Sequence, residues 1–114
     1  MAVFMGAFPV LPGKDDEARK FARETMEDRR EEFNASQKRL NTTKAEWALQ
    51  QTPMGSLVLV RFECADPEAT FAEFGQSQDP FDVWSRQRIL EISGVDMSAL
   101  PDEPPPEIIL DWTS

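Results

Sequence analysis

Residues 44–64 read KAEWALQQTPMGSLVLVRFEC, two runs of strand character joined by TPMG, and this pairing constrains the fold more than any other stretch. Pro53 and Gly55 suit a tight reversal, with Gly55 placed where a positive φ is useful. If Gln51 faces Ser56, every other cross-strand pair follows, because side chains alternate with a period of two. One face then carries Leu49 opposite Val58, Trp47 opposite Val60 and Ala45 opposite Phe62, and it is wholly apolar. The other carries Gln50 opposite Leu57, Ala48 opposite Leu59 and Glu46 opposite Arg61, ending in an opposite-charge pair. A slip of one residue would destroy both the apolar face and the charge pair. The hairpin is therefore one-sided, and its apolar face belongs under helices.

The remaining segments supply those helices. Residues 2–8, AVFMGAF, read as a strand apolar on both faces, as expected of a central position. A single long helix is expected over residues 14–40, with Asp15, Asp16 and Glu17 in its first turn, where the helix dipole favours acids. Its expected buried stripe runs through Ala18, Phe21, Ala22, Met26, Phe33 and Leu40, with Arg29 falling inside it. After the hairpin, ADPEATFAEF and QDPFDVWSRQRILEIS each begin with an Asp-Pro pair, an N-cap followed by proline at the first helical position. Gly94 ends the second. Then come Pro104, Pro105 and Pro106, a stiff extended strap, and EIILDW, whose Ile108, Leu110 and Trp112 alternate with Ile109 and Asp111 as in a strand.

One domain over residues 1–114 results, of α+β class: ferredoxin-like βαββ(αα)β with a four-stranded antiparallel sheet. The last strand is expected beside the first, with the hairpin's first strand at the opposite edge. Helices in this topology cover one face only. The other would expose Leu57, Leu59, one side of the first strand and either Ile109 or the Ile108, Leu110 and Trp112 row, an apolar surface that a homodimer closing two sheets on each other would bury.

Composition restricts the chemistry. Twelve basic against twenty-one acidic residues leave a net charge of −9, a poor match for nucleic acid or anionic lipid. There is no His and no Tyr, which removes His-based acid–base catalysis, the Ser-His-Asp arrangement and most zinc sites. Cys64 stands alone in an apolar strand, a core residue rather than an axial ligand, and fits a reducing compartment. No run approaches a membrane span, and the N-terminal apolar run, interrupted by Gly6 and Pro9, lacks the basic start of a secretory signal. A cytoplasmic location is expected. The acidic clusters KDDE and EDRREE lack the ligand spacing of a calcium loop, and no Gly-rich phosphate cradle is present, so no metal and no cofactor are expected.

The element order, with ARETMEDRREEF, ADPEATFAEF, SQDPFDVWSRQ and PPPEIILDW, resembles the dimeric α+β barrel superfamily over nearly the whole chain. That superfamily includes antibiotic-biosynthesis-type monooxygenases and stress-responsive barrel proteins, and the closest resemblance is to an uncharacterised bacterial branch. The resemblance implies a dimeric barrel. It leaves two functions open: a small-molecule-binding or accessory protein, or a cofactor-independent monooxygenase or isomerase acting on an aromatic or polyketide-like substrate. Five side chains are candidates for a ligand pocket: Glu46, Trp47, Arg61, Arg29 and Trp84. Glu46 and Arg61 either orient a polar ligand or form an ordinary cross-strand ion pair. Arg29 reaches a pocket, pairs with a buried carboxylate, or carries its head past the apolar stripe to water. Trp47 and Trp84 either line a cavity or fill the core. On the oxygenase reading Asn41 joins Trp47, Arg61 and Glu46 in placing the substrate.

Overall fold

The structure is a computed structural model that describes residues 2–100 and 106–114. The elements run β1 (Ala2–Val10), α1 (Asp15–Arg23), a π-helical turn (Glu24–Asp28), α2 (Arg30–Arg39), β2 (Thr42–Thr52), β3 (Gly55–Cys64), α3 (Pro67–Gln76) and α4 (Pro80–Ser93). The sheet is antiparallel in the order β1-β3-β2. The hairpin has the register its pattern dictates, with Gln51 opposite Ser56, Trp47 opposite Val60 and Glu46 opposite Arg61. The turn is tighter than TPMG suggests. Thr52 already pairs with Gly55, and the Thr52 hydroxyl accepts from the Met54 N–H at 3.2 Å.

Among the described residues the sheet has three strands, not the expected four. Residues 107–112 form no strand, and Ile108, Ile109, Leu110 and Trp112 are all exposed. Alternation makes a segment fit for a ladder, but a strand exists only when a neighbour supplies the opposite hydrogen bonds. β1 consequently lies at an edge rather than at the centre. Of the expected proline strap, Pro104 and Pro105 lie outside the described residues.

The long first helix is also not continuous. Between α1 and α2 the backbone widens into a π-helical turn, closed by the Arg29 N–H donating to the Glu24 carbonyl at 2.9 Å. A wider turn rotates the helix faces that follow it. Thr25 takes the inward place, 1% exposed, and Met26, expected in the stripe, is turned out at 48%. Asn41, at φ 54, then stops α2 and starts the chain into β2.

α3 and α4 begin as their sequences dictate. Asp66 accepts from the Glu68 N–H at 3.1 Å and Asp79 from the Phe81 N–H at 3.0 Å. Gly94, at φ 76, terminates α4 in the left-handed conformation. Gly75 has a different reason. A Cβ there would stand 2.6 Å from the Met97 carbonyl oxygen, so only glycine lets the chain after α4 lie against α3. All helices pack on one face of the sheet. Val10, Ala18, Phe21 and Ile92 form the buried cluster, with Leu49, Val58, Trp84 and Ile89 around it. α4 is tied to the first helical arm by Arg88, which reaches Glu17 at 2.9 Å and Glu24 at 4.0 Å.

Candidate ligand cavity

Alternation in three strands decides what faces the helices. From β1 come Phe4 and Phe8, from β3 Val58, Val60 and Phe62, from β2 Ala45, Trp47 and Leu49. The helical arm does not close down on all of them. Trp47, on the helix-side face of the edge strand β2, remains 39% exposed, and Ala45 beside it is exposed as well. Between the sheet and the helices lies a cavity of about 440 Å³, open to solvent. A volume of a few hundred Å³ is that of a small-molecule site.

Its wall is largely aromatic. Phe21, Phe33, Trp47, Phe62, Phe71 and Phe81 line it. Phe21 stacks on Trp47 with centroids 5.4 Å apart and 29° between planes, and Phe62 meets Phe71 edge-on at 5.5 Å. Such geometries fix ring positions beyond what area burial alone would do. The π-helical turn contributes directly, because it is what brings Thr25 into the wall.

Polar groups in the wall are mostly occupied by the protein itself. The hydroxyls of Thr25, Thr70 and Ser93 donate to the carbonyls of Phe21, Leu40 and Ile89 at 2.8, 3.0 and 2.6 Å. Ser36 donates to Asp82 Oδ1 at 2.6 Å. Two wall side chains, Ser85 and Gln37, have no hydrogen-bond partner among the described residues. Arg19 stands at the rim, held by Asp16 at 2.7 Å.

Behind this wall is a group that the sequence did not announce. Asp82 is wholly buried and accepts from Ser36, Ser77 and Arg39 at 2.6, 2.6 and 3.0 Å. Arg39 also lies 3.3 Å from Asp79. Burial pushes the Asp82 carboxyl up, but the hydrogen bonds from Ser36, Ser77 and Arg39 outweigh it, and its pKa falls below the usual value. The cluster joins α2, the α3–α4 connection and α4, and so holds one side of the cavity in place. Asp15 does similar work at the other end, where hydrogen bonds from Gln51 and Ser56 lower its pKa and tie the hairpin to the start of α1.

The five sequence candidates are dispersed. Only Trp47 lines the cavity. Glu46 and Arg61 are paired at 3.5 Å on the opposite, helix-free face of the sheet, in a line of charges with Lys44 and Glu63. The Arg29 guanidinium carbon lies over the Trp84 ring, 4.2 Å from its centroid, and its Nη1 is 3.6 Å from Glu32. Trp84 itself packs against the buried cluster through Phe21 and Phe81. Asn41 serves the helix stop. No group of acidic or Cys side chains among the described residues is placed to hold a metal ion, and no described helix is long and apolar enough to cross a membrane. No family model, no curated protein and no solved structure matches this chain.

Proposed function

We propose that this protein binds a small, predominantly apolar molecule of aromatic or polyketide-like character in the cavity between sheet and helices. The observation that carries the reading is the wall: aromatic rings around about 440 Å³, with hydroxyls already satisfied within the chain. A ligand that brought many polar groups would lose its water and find few partners. Ser85 and Gln37 offer places for one hydroxyl or carbonyl, which would set its orientation. Binding is favoured over monooxygenase or isomerase chemistry because, of the four side chains that would have placed a substrate, Trp47 lines the cavity whereas Glu46, Arg61 and Asn41 do not.

A thermal-shift screen of quinones, polyketide-like phenols and small organic acids tests this. A phenol or quinone at a hundred times its Kd should stabilise the fold by about 2.7 kcal/mol, while the acids should do nothing. Val60→Phe fills the cavity from the sheet side and should abolish the shift without lowering the melting temperature of the free protein. A shift that survives Val60→Phe would place the ligand elsewhere.

The same proposal includes a homodimer in the manner of the dimeric α+β barrels that the sequence resembles, with two helix-free sheet faces in contact. Val3, Met5 and Leu59 on that face are 45%, 46% and 41% exposed, and Ala7, Pro9, Leu57 and Ala48 extend the apolar area. Leu59→Glu, at the centre of that patch, should convert a sedimenting dimer to a monomer. A dimer indifferent to the charge would refute this use of the face.

A further inference from the structure

The two edges of the sheet are built differently. β2, at one edge, is studded with Lys44, Glu46 and three Gln or Thr side chains toward its turn, the usual protection against pairing with another chain. β1, at the other, has no charged residue from Ala2 to Val10, and its outer backbone edge has no partner among the described residues. Only Pro9 interrupts it, by lacking an N–H, which leaves residues 2–8 as a usable edge. A long uncharged edge is a site for strand addition unless something covers it.

The chain also carries a segment of strand-like sequence that pairs with nothing among the described residues. Ile108, Ile109, Leu110 and Trp112 are 59%, 89%, 80% and 76% exposed, in one short stretch broken only by Asp111. Apolar runs of this kind are not normally left in water. Residues 107–113 and residues 2–8 are of equal length, seven positions spanning roughly 23 Å as strands. We propose that residues 107–113 of one copy add as a strand to the outer edge of β1 in a second copy, reciprocally. Residues 107–113 are exposed and enter no ladder with the described residues of their own chain. A two-fold exchange uses both free edges and both free segments at once. It also continues the apolar surface of Val3 and Met5, which border that edge on the helix-free face. Ile108, Leu110 and Trp112 would extend one face of the partner's sheet and Ile109 the other.

The proposal goes beyond ligand binding and beyond contact of the two sheet faces, and its test separates it from both. Sedimentation equilibrium and amide hydrogen exchange are compared for the full chain, a chain ending at Pro106, and the full chain carrying Ile109→Lys and Leu110→Lys. Both changes fall on exposed residues, so the helices and hairpin should keep their circular dichroism. The full chain should sediment as a dimer. Each altered chain should show a dissociation constant raised roughly 100-fold, as expected for loss of two or more buried apolar anchors. Outer-edge amides of residues 2–8 should exchange faster in step with that change. A dimer of unchanged dissociation constant overturns the proposal while leaving contact through Leu59 standing. A monomeric full chain, with its edge protected or not, overturns it too.

Discussion

Asp82→Ala should unfold far more easily than the wild type, by on the order of 3 kcal/mol, because two hydroxyls and a guanidinium lose their common acceptor. Ser36 is 2% exposed and cannot turn to water in place. In a chain of this size the loss corresponds to a fall in melting temperature of roughly 10–15 °C. Asp82→Asn keeps the volume and one acceptor oxygen but turns an amide N–H₂ toward donors, so it should recover part of that loss and no more. The pH dependence has a definite sign. A carboxyl whose folded pKa is depressed contributes its stability fully above the unfolded value, about 3.9, and loses it as pH falls through the lower folded value. Wild-type stability should therefore drop steeply below about pH 4, and Asp82→Asn should flatten that drop. A melting temperature within 2 or 3 °C of wild type for Asp82→Ala would show that the cluster holds nothing together.

That Asp82 matters was hidden in the sequence for a physical reason. It sits in the first turn of α4, three residues after the N-cap Asp79, where an acid is favoured by the helix dipole and normally faces water. Only the arrival of Ser36 and Arg39 from α2 makes it a buried acceptor, and nothing in SQDPFD signals a partner more than forty residues earlier. The π-helical turn escaped for a related reason. Met26 fits the apolar stripe of an ideal helix as well as any residue, and the widened turn that rejects it is set by packing, not by propensity. By contrast the hairpin register was legible to the residue, because Glu46 and Arg61 agree with the apolar face only in one alignment. The two Asp-Pro starts and Gly94 were legible as well, each satisfying a local backbone need. The cavity was not, since Phe21, Phe33, Phe62 and Phe81 read as core in a sequence whether they meet or leave a gap between them.

The gap makes Phe21 the most informative single position. It is 7% exposed, stacks on Trp47 and meets Trp84 edge-on, both at 5.4 Å, so it belongs to the core and to the cavity wall at once. Phe21→Ala should cost about 3–5 kcal/mol, the usual sum of lost transfer energy and unfilled space. Unlike a truncation in a sealed core, this one enlarges a space already open to solvent, so a ligand can enter and replace the lost ring. A bulkier aromatic ligand should then stabilise Phe21→Ala more than it stabilises the wild type, whereas a ligand that fits the wild-type cavity should gain nothing. Paired thermal titrations of the two proteins with a one-ring and a two-ring phenol provide the comparison. Equal shifts with both ligands in both proteins would mean that the bound molecule does not touch Phe21, and the site would have to be sought outside this cavity.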